Sequence, residues 1–597
     1  MHAVECFALL DDAGSVDGSR LFTGHVRTLR ADTAGEWPLL LAELQQALES
    51  GLYGVPLLTY ELGCALHGIP AHAAQGPLAR VLLFERCDRL GTDEVGAWVH
   101  ARAGTAPSGV AAVAASVDEA QFTDAIERIR DYIRAGDTYQ VNYTYRLRFD
   151  AYGSLFALYA RLRERQPVPY GALIALPDGS GVLSLSPELF VRHTAGELMT
   201  RPMKGTAPAS GDAAEDQRRA QALAQDPKNR AENLMIVDLL RNDLGRVCET
   251  GSVQVPALFD VTRFGSVLQM TSTVRGRLRA SATLADIFDA IYPCGSITGA
   301  PKRRTMEIIT EVETAPRGIY TGAIGWFDPP AASGKTGDFC LSVPIRTLAL
   351  SPPEQGVRRG ELGVGAGIVY DSEPASEYAE CQLKARFLTG MPAGFGLFET
   401  MQATGAGCRN VEEHLARMSA SARYFAIPFD RDAARRLLDD ACQALGGPAR
   451  MKLALAPDGT LDVQVAPLAP LAQPVRILVA EQAVRSDDLF LRHKSTVRER
   501  YDAAWREAEA HGAFDMVFFN EKGELAEGGR SNVFVKVGGR WCTPPLSCGL
   551  LPGVMRAAIL RDPAFDAVER VITRAEFDAA TEIMVCNSLR GALAAQR

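Results

Sequence analysis

Residues 118–143, DEAQFTDAIERIRDYIRAGDTYQVNY, contain the change of period on which the fold turns. Phe122, Ile126, Ile129 and Ile133 recur at three- and four-residue spacing, so they share one helical face. The helix is predicted to stop at Gly136-Asp137, and Tyr139-Gln140-Val141-Asn142-Tyr143 then reads as a strand. Helical and β-rich runs alternate from there to about Phe387. Upstream, short apolar runs such as Val81-Leu82-Leu83-Phe84 alternate with turns, and residues 101–116, rich in Ala, Gly and Pro, read as a linker or exposed loop. Downstream, Leu388-Thr389-Gly390-Met391-Pro392-Ala393-Gly394 ends a helix in a glycine-proline turn and marks the main boundary. The expected division is therefore 1–116 and 117–387 as the two portions of a first module, 388–394 as linker, and 395–597 as a second module about half as long.

At 597 residues and 47% hydrophobic, the chain can bury several cores. A net charge of -9 with scattered basic residues excludes a nucleic-acid surface. No apolar run approaches the roughly 18 residues of a membrane span, and Met1-His2-Ala3-Val4-Glu5 lacks a basic region followed by an apolar one, so a cytoplasmic location is expected. The 12 cysteines form no CxxC pair, as expected of reduced thiols and not of a structural zinc site.

Arg201-Pro202-Met203-Lys204-Gly205-Thr206 sets a lysine between a rigid proline turn and a glycine, ahead of a polar helical segment. An amine held there can act as base or nucleophile. Candidate carboxylates are Glu188 in Ser186-Pro187-Glu188, Glu232 in Arg230-Ala231-Glu232-Asn233, and Glu377 and Glu380 in Glu377-Tyr378-Ala379-Glu380. Glu232 and Glu380 suit Mg²⁺, which takes one or two protein carboxylates plus substrate oxygens and waters. Glu377, Glu380 and Lys384 would share a helix face, where the plainer reading is an i,i+4 ion pair. A second reactive-lysine context is Arg492-His493-Lys494-Ser495-Thr496, and two lysine chemistries suggest a two-step enzyme. Two motifs are dismissed. Ser333-Gly334-Lys335-Thr336 lacks the upstream glycine of a phosphate loop, Pro329 standing there, and Gly363-Val364-Gly365-Ala366-Gly367 is not GxGxxG.

Pro293-Cys294-Gly295-Ser296-Ile297-Thr298-Gly299-Ala300-Pro301-Lys302, with Glu232-Asn233-Leu234-Met235-Ile236-Val237-Asp238-Leu239, Gly318-Ile319-Tyr320-Thr321-Gly322 and Gly365-Ala366-Gly367, closely resembles the chorismate-utilising enzymes. These include anthranilate synthase component I, aminodeoxychorismate synthase component I, and the isochorismate and salicylate synthases. The resemblance spans roughly residues 1 to 387 and is strongest from 118. It implies an α+β module of large antiparallel sheets with flanking helices, Mg²⁺ at Glu232 and Glu380 supported by Glu377, and Glu188 as general acid. It implies chorismate contacts from Gln140, Thr298, Tyr320, Arg346, Gly365, Gly367 and Lys384. Lys204 discriminates within the family: anthranilate synthases have alanine there, whereas aminodeoxychorismate synthases carry a lysine that adds to the ring and relays the site of amination. Gln140, where isochorismate synthases place a lysine base, favours ammonia over water. Gln269 departs from the histidine of many relatives, and Asn229 replaces a common acid. Cys64, Cys294 and Cys548 lie in no Gly-x-Cys-x-Gly elbow, so a separate glutamine amidotransferase, or free ammonia, is implied.

The second module resembles the fold-type IV pyridoxal-phosphate enzymes through Gly394-Phe395-Gly396-Leu397-Phe398-Glu399-Thr400, His414-Leu415-Ala416-Arg417, His493-Lys494-Ser495-Thr496, Glu527-Gly528-Gly529-Arg530-Ser531-Asn532 and Leu550-Leu551-Pro552-Gly553-Val554. The resemblance implies pyridoxal 5'-phosphate on Lys494, with Glu527 against the pyridine nitrogen, Arg417 on the phosphate, and Ser531, Asn532, Gly553, Val554, Asn587 and Ser588 completing the site. It implies a two-subdomain α/β fold and a homodimer. Strands that usually precede the Gly-Phe-Gly motif are missing or come from the first module. The motifs do not separate lyase from aminotransferase; the fusion favours a lyase. Together the resemblances imply amination of chorismate to 4-amino-4-deoxychorismate, then loss of pyruvate to give 4-aminobenzoate for folate synthesis. Two alternatives are an anthranilate-type synthase joined to an aminotransferase, opposed by Lys204, and a ligand-binding regulator with a decayed site, opposed by Glu188, Lys204, Glu232, Glu380 and Lys494.

Overall fold

A computed structural model of the chain describes residues 5–15, 18–74, 76–264, 267–332 and 336–597. Residues 333–335 of the dismissed phosphate-loop motif, and residues 1–4, lie outside the described residues. Residues 101–116, expected as a linker, instead complete a helix, Thr92–Ala103, and form a strand, β1 (Gly109–Ala115). Composition misled here because pairing with a neighbour decides this strand: a Cβ on Gly109 would fall 2.5 Å from the Tyr152 hydroxyl, so the glycine admits that ring. Helix α1 (Glu119–Arg134) follows with its predicted face inward, Phe122, Ala125, Ile126 and Ile129 all being buried. Asp118 Oδ1 accepts from the Gln121 amide at 2.8 Å and Gln121 Oε1 from the Asp118 amide at 3.0 Å, a reciprocal cap. Gly136, at φ +83, releases the chain into strand β2 (Gln140–Tyr152).

Strand β3 (Met203–Pro208) holds Lys204 in extended chain where a proline turn was expected. Gly205, at φ +88, lies where the pairing register of this strand shifts. Helix α2 (Pro227–Gly245) is followed by β4 (Val267–Arg277), the antiparallel partner of β3. Strand β5 (Val357–Ile368) pairs with β2 along its whole length, from Val357↔Tyr152 to Ile368↔Val141, and helix α3 (Pro374–Thr389) returns across this module. Among the described residues eighteen strands join in one antiparallel network, matching the expected large sheets with flanking helices. Phe122 packs edge-on against Tyr143 at 5.4 Å and beside Tyr378 at 5.2 Å, tying α1 to β2 and α3. Burying a side chain of that size contributes about 1.5–3 kcal/mol.

The second module has a four-stranded antiparallel sheet containing β6 (Leu397–Thr404), with helix α4 (Val411–Tyr424) against it, then β7 (Ala449–Leu455) and β8 (Leu461–Pro467). An eight-stranded mixed sheet follows, including β9 (Asp515–Phe519), β10 (Leu525–Gly528) and β11 (Asn532–Val537), with helix α5 (Val554–Arg561) beside it. The two modules share one core. Ala111, Tyr152 and Val357 of the first cluster with Phe395, Leu397, Phe425 and Leu489 of the second. Tyr152 meets Phe425 and Phe490 edge-on at 5.7 and 5.8 Å. Beside this core the Tyr424 hydroxyl donates to Asp150 Oδ2 at 2.8 Å, and Arg359 pairs with the other oxygen of that carboxylate.

Candidate active sites

Gly363, Gly365 and Gly367 alternate along β5 and so share one face. Tyr320 lies over the first: a Cβ there would come within 2.2 Å of its ring. Gln140 and Lys204 lie over the last, where a Cβ would sit 2.2 Å from Gln140 Nε2 and 3.4 Å from Lys204 Nζ. Burial lowers the pKa of the Lys204 amine, against the attraction of Glu232 and Glu188. No carboxylate oxygen comes within ion-pair distance of it among the described residues. Gln140 is 1% exposed, and neither polar atom of its amide has a hydrogen-bond partner among the described residues. Buried amides are nearly always satisfied, so this pair of orphaned atoms points to a ligand.

Glu188 emerges from a turn pinned by Ser186, whose hydroxyl donates to the Val343 carbonyl at 2.5 Å and accepts from the Glu188 amide at 3.2 Å. Its Oε1 is buried without a partner, and burial raises its pKa against Ser296 and Lys204, the state a proton donor requires. Thr298 Oγ1 donates to the Gly295 carbonyl, and its own carbonyl accepts from the Asn142 amide, so it shapes the loop. Gly299 lets that loop close on β2, since a Cβ would fall 1.9 Å from the Gln140 carbonyl oxygen. Arg346, at φ +52, is half-buried with no ion pair among the described residues, and desolvation lowers its pKa.

The remaining carboxylates come from α2 and α3. Burial raises the pKa of Glu232; Lys204 and Lys228 oppose, while Glu377 and Glu380 add to the rise. Glu377 accepts from the Ser372 hydroxyl at 2.7 Å, and Glu380 pairs with Lys384 at 2.7 Å. Lys384 also donates to the Gly365 carbonyl at 2.9 Å, holding α3 to the glycine face. These hard oxygens suit Mg²⁺, although no three His, Cys, Asp or Glu side chains converge to hold an ion among the described residues. Gln269 donates to the Thr206 hydroxyl at 3.2 Å and Asn229 lies 2.9 Å from the Cβ position of Gly205, so both brace the lysine strand.

In the second module Arg417, Lys494, Glu527, Ser531, Asn532, Gly553, Val554, Asn587 and Ser588 all line one cavity of about 1060 Å³. Lys494 lies 4.8 Å from the centre of the Phe398 ring. Burial, reinforced by Arg417 and Arg498, lowers its pKa to about 7, so near neutral pH much of it is the free amine that attacks a carbonyl. Burial pushes Glu527 up to about 8, a carboxyl that a cationic ring nitrogen would hold ionised. Gly553 caps α5, and a Cβ there would meet Asn532 Oδ1 at 1.8 Å, so glycine is required beside a helix N-terminus suited to phosphate. Three implied contacts are already engaged within the protein. Ser531 donates to Asp515 at 2.5 Å, the Asn532 amide to Glu527 and the Leu551 carbonyl, and the Asn587 amide to the Arg530 carbonyl.

Residues 40–390 match the chorismate binding enzyme family, and residues 396–597 match amino-transferase class IV. The chain belongs to the chorismate-binding enzymes. Its first module is similar to aminodeoxychorismate synthase component 1 of Klebsiella aerogenes, 42% identical over 291 residues, which are 48% of this chain and 61% of that one. It is equally similar to an anthranilate synthase component 1 of Haloarcula marismortui, 43% identical over 267 residues, 45% of this chain and 52% of that one. The chain therefore spans less than two thirds of these relatives. The crystal structure of anthranilate synthase component I from Streptococcus pneumoniae matches with a TM-score of 0.51 at 26% identity, covering 63% of this chain and 92% of that one. The class IV module implies pyridoxal phosphate, and the donors around Lys494 fit it.

This chorismate-binding enzyme also contains supporting residues to which sequence reading assigned no role. Glu399, 1% exposed, accepts from Arg417 Nε at 2.9 Å and Nη2 at 2.6 Å and bonds His414 Nδ1 at 2.6 Å. Burial opposes its ionisation, but Arg417 and His414 overcome that and hold its carboxyl down at about 2. It stood in a quoted motif, but its partners lie on a helix whose docking no local pattern reveals. Asp515, which accepts from the Ser531 hydroxyl, carried no sequence signal.

Proposed function

We propose that the first site aminates chorismate to 4-amino-4-deoxychorismate and that the second removes pyruvate from this product, leaving 4-aminobenzoate for folate synthesis. One observation carries the reading: the half-buried Lys204, whose amine makes no ion pair among the described residues, beside the unsatisfied Gln140 amide. Near-equal identity to aminodeoxychorismate and anthranilate synthases does not choose between products. Lysine where anthranilate synthases have alanine favours the 4-amino product. Glu188 donates its proton as the ring hydroxyl leaves as water while the Lys204 nitrogen bonds to the ring. Ammonia then bonds to the carbon that lost the hydroxyl, and the Lys204 amine departs. Arg346 holds a substrate carboxylate, and Glu232 and Glu380, supported by Glu377, hold Mg²⁺. A separate glutamine amidotransferase supplies the ammonia, and the joint between the modules lies at residues 388–394.

In the second site pyridoxal phosphate, when bound, supplies the carbonyl that captures the amine and the ring that accepts electrons. Arg417 and the α5 N-terminus hold its phosphate, and Glu527 faces its ring nitrogen. Lys494 takes the proton from the amine-bearing carbon, after which pyruvate leaves and the product ring becomes aromatic. The test is mass-resolved product analysis of the full chain with chorismate, Mg²⁺, ammonium and pyridoxal phosphate. 4-Aminobenzoate with equimolar pyruvate is expected. Anthranilate as the product would overturn the reading in favour of the anthranilate-type alternative.

A further inference from the structure

We propose that the first module positions Lys494: its turn at residues 354–357 and the carboxylate of Asp150 brace the segment that carries this lysine, so that both modules assemble the second site. The inference rests on the role proposed for Lys494 in the second reaction and adds to it positioning residues from outside its own module. Pro107, Gly153, Pro353 and Gly356 of the first module line the second cavity together with Lys494. Gly356 belongs to a tight turn in which the Glu354 amide donates to the Val357 carbonyl at 2.8 Å and the Val357 amide to the Glu354 carbonyl at 3.1 Å. Gln355 and Gly356, at φ +50 and +78, supply its left-handed positions. The Ser351 amide donates to the Arg359 carbonyl at 2.9 Å and the Arg359 amide to the Ser351 hydroxyl at 2.9 Å, so the turn is a stiff extension of β5.

This end of the first module touches the chain that leads into Lys494 at successive points. A Cβ on Gly356 would fall 2.1 Å from the Asp487 carbonyl oxygen and 3.0 Å from the Leu489 amide nitrogen, so the turn and residues 487–489 lie backbone against backbone. Asp488 Oδ1 accepts from the Phe490 amide at 2.9 Å and starts the helical turn Leu489–Arg492, after which His493 and Lys494 follow directly. Phe490 of that turn meets Tyr152 edge-on, and Leu489 is buried in the core shared with Val357. Tyr424, whose hydroxyl donates to Asp150, stacks on His493 with ring centres 5.0 Å and planes 16° apart. Ser421 Oγ lies 3.0 Å from His493 Nδ1 and holds the same ring. Within its own module the lysine backbone is tied to β6, where the Phe398 amide donates to the Lys494 carbonyl at 3.0 Å. The reach of Lys494 into the cavity is therefore set between β6 on one side and the first module on the other.

The cofactor-free full chain is mixed with pyridoxal phosphate, and the visible absorbance of cofactor on Lys494 is followed by stopped flow. Pyruvate release from supplied 4-amino-4-deoxychorismate and ammonium-dependent consumption of chorismate are measured alongside. In Gly356→Ala the added methyl must force turn and loop apart by more than an ångström. Cofactor uptake and kcat for pyruvate release should each fall about tenfold, with KM and chorismate consumption unchanged. Gly356→Asn suits a left-handed backbone but carries the same Cβ, and should behave alike. Asp150→Ala should slow both second-site measures, whereas Asp150→Asn, which keeps an acceptor for Tyr424, should retain the wild-type values. Uptake at the wild-type rate in Gly356→Ala and Asp150→Ala, or a wild-type rate restored by Gly356→Asn, overturns the proposal. Where Gly356→Ala also loses chorismate consumption, the contrast between the two Asp150 variants decides, and its absence overturns the proposal. If uptake slows as expected while wild type releases no pyruvate, the brace stands and the lyase reading falls.

Discussion

Gly367→Ala should silence the first site without loosening the fold. The added methyl would start 2.2 Å from Gln140 Nε2, where ordinary contact begins at 3.4 Å, so the amide must withdraw by more than an ångström. Its obstacle is the end of a side chain, and Lys204 Nζ at 3.4 Å is already at contact distance. A displacement of that size in a reacting constellation costs about 100-fold in rate, ~2.7 kcal/mol of barrier. Gly365→Ala provides the contrast, because its methyl would meet the Tyr143 carbonyl at 2.4 Å and must push apart the paired strands β5 and β2. Overpacking of that kind costs about 1–3 kcal/mol of stability. The assay measures kcat/KM for ammonium-dependent consumption of chorismate, release of pyruvate from supplied 4-amino-4-deoxychorismate, and thermal unfolding. Gly367→Ala should lose the first and keep the other two, whereas Gly365→Ala should also unfold earlier. Amination by Gly367→Ala at the wild-type rate, or a loss of stability equal to that of Gly365→Ala, would refute the reasoning.

Lys204→Ala should abolish formation of 4-aminobenzoate from chorismate or divert it to anthranilate, and still release pyruvate from supplied intermediate; product analysis decides. Lys494→Ala should do the reverse, accumulating 4-amino-4-deoxychorismate and losing the visible absorbance of bound cofactor. Glu399→Gln leaves the partly buried Arg417 without its charge partner, which should destabilise the second module by about 3–5 kcal/mol in denaturant titration and weaken cofactor binding. Lys494 is deprotonated above about pH 7 instead of near 10.5, so the rate of cofactor uptake should rise through about pH 7 and then level off. Because the charge of Arg498 helps to lower that pKa, Arg498→Met should move the midpoint upward; stopped-flow absorbance across pH checks the direction.

How legible these features were depended on how local their causes are. The 118–143 stretch was readable because its helix face, cap and terminating glycine are neighbours in sequence. Residues 109–115 were misread because an Ala-rich segment becomes a strand only through β2, more than thirty residues on. The lysine of β3 was found but its setting was not, since a proline two residues earlier resembled a turn and the pairing with β4 lies beyond any local window. The cavity around Lys494 is assembled from segments spread over more than a hundred residues, and only the resemblance to a known family could bring them together in advance. Glu399 is the opposite case, a residue in plain view whose role required the docking of α4 on β6.

The aromatic cluster that Tyr152 shares with Phe395, Phe425 and Phe490 has a consequence for how such a gene can be cut. Severing the chain between residues 390 and 394 would leave two pieces that still adhere, each carrying half of a greasy seam that water disfavours. Expressed apart, the pieces would have to find one another or precipitate. Recombination at this joint is therefore penalised.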